Sequence, residues 1–231
     1  MSAAARAGTA RTRSPRQSGS GAAGAPLGSG AGGPLPRGFY DRPVLEVARA
    51  LIGCVVSRHG VSGAIVETEA YHDSEPASHA FAGLTARTRT LFGRPGYAYV
   101  YRSYGIHAML NAVCEPEGVG AAVLIRALHP LTGIESMRER RNRRLPREPA
   151  DLPLRELCSG PGKLCQALAV PFSENGRDLC GGGPITISRP PPDWQAVTTL
   201  TGVRVGITKA AELPWRFCVA GSEHVSRPRL G

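Results

Sequence analysis

The sequence predicts an α+β fold: one domain with a curved, antiparallel or mixed sheet, packed helices and a disordered N-terminal tail. Three observations predict it. Helix-like and strand-like stretches are mixed along the chain without the regular strand–helix–strand rhythm that a parallel sheet needs. The 231 residues suffice for one sizeable core and contain no internal repeat. Composition changes sharply once, near Phe39-Tyr40-Asp41.

Residues 1–38 are mostly Gly, Ala, Ser, Pro and Arg, with almost no large apolar side chains. Such a segment cannot bury enough surface to offset the entropy of ordering, so a basic tail is expected there. It is Arg-rich and free of acids, as organellar transit peptides are, but it lacks their regular amphipathic pattern. A domain over residues 39–224 and a short C-terminal tail over 225–231 complete the division.

Asp41 is placed to cap a helix with Pro43 in its first turn, running from Val44 to Ile52 and stopping at Gly53. Cys54 to Ser57 reads as a strand, turned at His59-Gly60 into a second strand, Ile65-Val66-Glu67-Thr68-Glu69-Ala70-Tyr71. Period-two alternation puts Glu67, Glu69 and Tyr71 on one face and Ala64, Val66, Thr68 and Ala70 on the other. A loop follows from about His72 to Arg94, then the strand Tyr97–Tyr101, then the fully apolar strand Ala121–Ile125 with Arg126 at its end. Thr132 and Glu135 have capping-box spacing at the head of a helix. The six arginines between Arg138 and Arg147 read as a solvated, mobile run. Ser159-Gly160-Pro161-Gly162 opens a helix from Lys163 to Ala169, and short strands are expected near 185–188, 203–207 and 216–219.

The formal net charge is +10, and residues outside the first 38 retain +5 of it. A basic surplus favours a polyanionic partner, because neutralising phosphates releases counterions. The six cysteines show no CxxC pair and no Cys/His spacing suited to zinc, and several lie in apolar runs where Cys acts as a small hydrophobe. Reduced thiols in a cytoplasmic protein are the expectation. No apolar run reaches the roughly 18 residues of a membrane span.

Five of the six tyrosines, at 71, 97, 99, 101 and 104, fall within 34 residues. A tyrosine cluster facing a carboxylate fits a slot for a flat, hydrogen-bonding ligand such as a nucleobase, where stacking contributes about 1–3 kcal/mol per base. A tyrosine-lined sheet rim fits the pattern equally well. Tyr104-Gly105 breaks the strand alternation, and a turn-borne Tyr projects away from the sheet. Enzymes that extrude a base need a side chain to fill the gap in the stack.

Four motifs carry a family resemblance: Ile65-Val66-Glu67-Thr68-Glu69-Ala70-Tyr71, Tyr99-Val100-Tyr101 with Tyr104-Gly105, Leu124-Ile125-Arg126-Ala127-Leu128, and Leu157-Cys158-Ser159-Gly160-Pro161-Gly162-Lys163-Leu164-Cys165-Gln166-Ala167-Leu168. In this order, over roughly residues 43–222, the chain resembles the alkyladenine (3-methyladenine, methylpurine) DNA glycosylases. The resemblance implies an enzyme without strand-cleaving activity that flips a damaged purine out of double-stranded DNA and hydrolyses its N-glycosidic bond. By position it implies Glu69 as the base that activates water and Arg126 as the arginine holding both. It implies Tyr71, His79 and Tyr101 around the flipped base, Asn111 against the amino group of normal guanine, and Tyr104 in the duplex. Gly221-Ser222 resembles a backbone-contact segment, and Ile106 stands where a Met is familiar in the family.

The residues agree with these roles. Attack at the sugar carbon needs an ionised carboxylate about one water away, and Arg126 is expected to keep Glu69 ionised against burial. Glu67, two residues along the strand, falls ~6–7 Å from Glu69, and two carboxylates side by side on one strand do not stand across one bond from each other. A Schiff-base enzyme needs an amine, and the chain has only Lys163 and Lys209. Lys163 beside its Gly-rich turn suits phosphate, although Leu164 stands where a P-loop has Ser or Thr. Arg87, Arg89 and Arg94 are further phosphate candidates, with solvated loop charges the plain reading. No metal or organic cofactor is implied, and a monomer acting in the cytoplasm with the nucleoid is expected. A non-catalytic nucleic-acid-binding module and a hydrolase of free nucleosides are the alternatives.

Overall fold

The computed structural model describes residues 1, 32–103, 105–143 and 152–230. Two short helices open the body: α1 (Arg37–Tyr40) and α2 (Val44–Ala50). A hairpin follows, β1 (Val55–Arg58) and the long β2 (Val61–His72), and then a loop whose one 3-10 turn is His79–Ala82. Next come β3 (Ala98–Ser103), β4 (His107–Val113) and the long β5 (Ala121–Thr132). The helices α3 (Ile134–Asn142), α4 (Leu154–Leu157) and α5 (Pro161–Ala167) precede β6 (Ile185–Ser188), β7 (Thr199–Gly202) and β8 (Arg216–Val219).

The strands form one antiparallel sheet in the order β3-β4-β5-β2-β1-β6, with β8 also paired to β2 and β7 to β8. The fold is α+β with a curved sheet, as the mixed pattern predicts. Along one edge, β2 pairs with β1 up to Ala64 and with β8 from Glu67 to Glu69, so the sheet turns where its central strand changes partner. Helices α2 and α5 lie on one face, where Val47, Leu51, Leu164 and Leu168 join Ile65, Ile125 and Phe217 in the main apolar cluster. Five of the six cysteines are buried, and Cys54, Cys158 and Cys165 belong to this cluster.

Several local expectations are corrected. Asp41 does not cap α2; the carboxylate of Glu115 accepts from Val44 N–H at 2.8 Å, a partner 71 residues away. Thr132 does not cap α3 either, because its hydroxyl is engaged with Ser62 across the sheet. Gly133, at φ 71°, makes the turn instead. The strand β4 was absent from the sequence reading, since its run of buried residues shows no alternation. The strand expected at 203–207 lies earlier, at Thr199–Gly202. The arginine run is docked at two of its described residues, Arg140, which donates to the Ala167 carbonyl, and Arg141, buried against Gln166, while Arg143 is exposed as expected. The rest of it, residues 144–147, lies outside the described residues.

The packed body extends past both ends of the 39–224 range. Leu35 is buried, with its N–H on the Ile187 carbonyl, and Val225 and Ser226 are buried against β2. Of the stretch expected to be a tail, residues 2–31 lie outside the described residues.

Candidate active site

The site rests on two offset irregularities. Between Ile65 and Thr68 the pairing of β2 with β5 shifts twice, leaving Val66 on β2 and Arg126 on β5 without a partner across the ladder. A β-bulge adds a residue to one face and re-aims its neighbours. Ile65 and Ala70 join the main cluster, and the Thr68 hydroxyl donates to the Ala48 carbonyl of α2. Val66 instead packs with Ala127, Cys218 and Val225, away from the face assigned to it by simple alternation. The bulges bring Glu67, Glu69 and Arg126 together, 57 and 59 residues apart in sequence.

Glu69 is fully buried and accepts three hydrogen bonds, which leaves acceptor capacity on the carboxylate. Its Oε1 accepts from Val205 N–H at 2.7 Å; its Oε2 accepts from the Tyr71 hydroxyl at 2.9 Å and from Arg126 at 3.2 Å. Burial pushes the carboxyl above its ordinary value, outweighing Arg126, Val205 N–H and the Tyr71 hydroxyl, which pull it down. The expectation that Arg126 would outweigh burial is corrected: the enclosure of the carboxylate is complete, and desolvation disfavours the charged form. Burial also raises Tyr71, and Glu69 beside it adds to the shift, so the phenol stays a donor.

Glu67 is the anchor of the arginine. Its Oε1 accepts from Arg126 Nε at 3.0 Å, Arg216 Nε at 2.7 Å and the Ser226 hydroxyl at 2.9 Å, while Oε2 accepts from Ser226 N–H at 2.7 Å. Arg126 is therefore clamped between two carboxylates, with Nε on Glu67 and a terminal nitrogen on Glu69.

In front of this cluster the loop after β2 closes over β3, β4 and β5 and leaves a cavity of about 140 Å3. Tyr71, Tyr101 and Asn111 from the sheet line it together with His79 from the loop and Ile207 from the C-terminal part. Tyr99 and Tyr101 stack with centroids 5.4 Å apart, and His79 sits edge-on to Tyr101 at 4.6 Å. Arg87 can only donate, so His79 Nε2 accepts from it at 3.2 Å, and the ring proton on Nδ1 reaches the Tyr99 hydroxyl at 3.1 Å. Burial, and then Arg87, lower the His79 pKa, in keeping with a neutral ring. Asn111 spends its amide N–H on the Tyr99 carbonyl at 3.0 Å and, at 3.4 Å, on that of Met109, leaving the amide oxygen as its polar atom for the cavity. Glu69 does not line the cavity; it lies one hydrogen bond behind the wall, through Tyr71.

Six of the expected residues thus meet: Glu69, Arg126, Tyr71, His79, Tyr101 and Asn111. Arg87 is tied to His79, Arg89 is exposed, and Lys163 and Ser222 line other clefts. Tyr104 lies outside the described residues. Sequence reasoning missed the contribution of residues 204–207. Arg204 is buried, forms a two-pronged pair with Glu75 at 2.7 and 3.0 Å, and lies 4.7 Å from the Tyr71 ring centroid. It braces the ring from behind, a cation–π contact worth about 2 kcal/mol when desolvated. Its signal in the sequence is an Arg between Val203 and Val205, a stretch that reads as a strand.

The family model described as methylpurine-DNA glycosylase matches residues 38–223. A relative from Bradyrhizobium diazoefficiens, named "Putative 3-methyladenine DNA glycosylase", is 49% identical over 201 residues, 85% of this chain and 92% of its own. One of the same name from Rhodopseudomonas palustris is 51% identical over 204 residues, 88% and 96% of the two chains. With the fold, the clamped arginine and the aromatic cavity in place, this chain belongs to the methylpurine-DNA glycosylase family.

Proposed function

We propose that the protein removes alkylated or deaminated purines (3-methyladenine, 7-methylguanine, hypoxanthine) from double-stranded DNA as the first step of base excision repair. The purine leaves the duplex and enters the cavity between Tyr71 and the His79–Tyr101 pair. A water beside Glu69 attacks the sugar carbon, the bond from that carbon to the base nitrogen breaks, and the water's proton passes to Glu69. Arg126 orients the carboxylate and the water. The arrangement of Glu69, Tyr71 and Arg126 directly behind an aromatic cavity is the observation that carries this reading. Neither Lys163 nor Lys209 lines the cavity, which supports release of the base without an amine-linked intermediate or strand cleavage. Asn111 stands against the amino group of guanine, Tyr104 fills the vacated stack, and Lys163, Arg87, Arg89 and Ser222 approach phosphates. The enzyme acts as a monomer in the cytoplasm, with the nucleoid. An excision panel on duplexes that each carry one defined lesion tests this: release of an alkylated or deaminated purine supports it, and no release of any overturns it.

The electrostatics give a pH dependence. Glu69 must be ionised to accept the proton, and its pKa is raised from 4.5 by burial. Base release from 7-methylguanine, whose leaving group carries a permanent charge, is expected to fall on acidification with a midpoint above 4.5. Single-turnover rates across the acid range check it; a flat profile would remove Glu69 as the base.

For Tyr104→Ala, the ratio of affinities for lesion and undamaged duplex is expected to shrink, because the vacated stack is left unfilled. Competition binding with the two duplexes measures it, and an unchanged ratio counts against the wedge.

A further inference from the structure

Arg204 lies in the stretch between β7 and β8, residues 203–215, which forms neither helix nor strand, so the sheet ladder does not fix its place. Its side chain is fully enclosed, and that of Glu75 nearly so. Besides the two-pronged pair with Glu75, the guanidinium donates to the Ala70 carbonyl of β2 at 3.0 Å and to the Ala210 carbonyl at 3.2 Å. It also stands over two rings, with the Trp215 centroid at 5.2 Å in addition to Tyr71. Its Nε is buried without a hydrogen-bond partner among the described residues. A buried ion pair adds little net stability over an apolar pair of the same volume, because desolvation offsets the attraction. An unmatched buried donor costs more still. What the pair supplies is position.

Each end of the pair adjoins the site. Val205 follows Arg204 directly, and its N–H is the donor on Glu69 Oε1 at 2.7 Å. Ile207, three residues on from Arg204, lines the cavity. At the other end, Glu75 Oε2 also accepts from Ala77 N–H at 2.8 Å, and Ala77, Ser78 and His79 line the same cavity. Ala70, whose carbonyl Arg204 holds, stands between Glu69 and Tyr71. One guanidinium thus joins three segments: the strand that carries the carboxylate and the ring, the loop after it, and the C-terminal part.

We propose that Arg204, held by Glu75, is a positioning residue for base release: it keeps the Val205 N–H on Glu69 and the Tyr71 ring against the cavity, so that the carboxylate and the slot for the purine stay in one register. The proposal rests on the DNA-glycosylase reading and adds to it two residues outside the cavity wall.

Two variants test it. Arg204→Met/Glu75→Gln removes both charges together, so that no lone ion is left buried. Arg204→Lys keeps the charge and loses the planar fork. Single-turnover release of 7-methylguanine from duplex DNA at saturating enzyme is followed across the acid range, beside affinity for the lesion duplex and the melting midpoint. The Val205 N–H is one of the contacts that pull the Glu69 carboxyl down. Its displacement in the double variant should move the acid limb to higher pH. The plateau rate should fall by about 100-fold, the cost of a misplacement near 1 Å, while affinity falls by a much smaller factor. Arg204→Lys should lie between the double variant and wild type in both limb and plateau. A pair with a structural role alone would lower the melting midpoint and leave the limb where it is, so an unmoved limb in folded enzyme overturns the proposal. If the double variant does not fold, Arg204→Lys decides by the same criterion. Wild type that releases no base from any lesion overturns the parent reading instead.

Discussion

Glu69→Gln is expected to slow single-turnover release of 3-methyladenine or hypoxanthine from duplex DNA by about 100- to 10,000-fold, the range typical of a lost general base. Binding of the lesion duplex should persist. The amide is nearly isosteric with the carboxylate, so its oxygen can keep the Val205 N–H bond. The Tyr71 hydroxyl can reverse and accept from the new NH2. Arg126 cannot reverse, because a guanidinium only donates, but its Nε remains on Glu67 at 3.0 Å. The chemistry therefore loses its proton acceptor while the cavity keeps its walls. Excision from a saturated complex, alongside a direct binding assay, separates the two. If the variant releases base at the wild-type rate, the enzyme works through some other group or the protein only binds. Loss of binding in parallel with release would instead assign Glu69 to the architecture of the cavity.

Much of this site was legible because it is local in sequence. Glu69 and Tyr71 alternate along one strand, and Tyr99 and Tyr101 along another, so the period of two by itself puts each pair on one face. What was not legible depends on contacts between distant segments. Val66 left its expected face because the bulges at Val66 and Arg126 arise from pairing two strands, which neither strand shows alone. The cap on α2 comes from Glu115, and the donor on Glu69 Oε1 comes from the backbone of Val205, 136 residues away. A backbone N–H has no side-chain identity to read. The direction of the Glu69 pKa failed for a related reason: its sign depends on how completely the carboxylate is enclosed, and enclosure is set by residues from the far end of the chain.

Glu67 shows how much of the site's rigidity is buried beside it. Glu67→Ala should destabilise the fold by about 3–5 kcal/mol, the usual cost of removing one partner from a buried ionic cluster. For a chain of this size that corresponds to a fall of roughly 6–20 °C in the melting midpoint. The carboxylate has no exposed surface, so no solvent replaces it. Its loss strips acceptors from Arg126 Nε, Arg216 Nε and both donors of Ser226 at once. Arg216, itself 1% exposed, would keep only the carbonyls of Ser226 and Pro228. Those carbonyls belong to the segment whose own anchor has just been removed. Glu67→Gln retains one acceptor oxygen and should lie between wild type and Ala. Urea unfolding of the three proteins measures the order, and limited proteolysis reports whether residues 225–230 come loose first. An Ala variant within 1 kcal/mol of wild type would mean that Glu69 and the Ser226 hydroxyl suffice to hold Arg126. A large loss in Ala with partial recovery in Gln would make Glu67 the residue that keeps the arginine aimed at the reacting water.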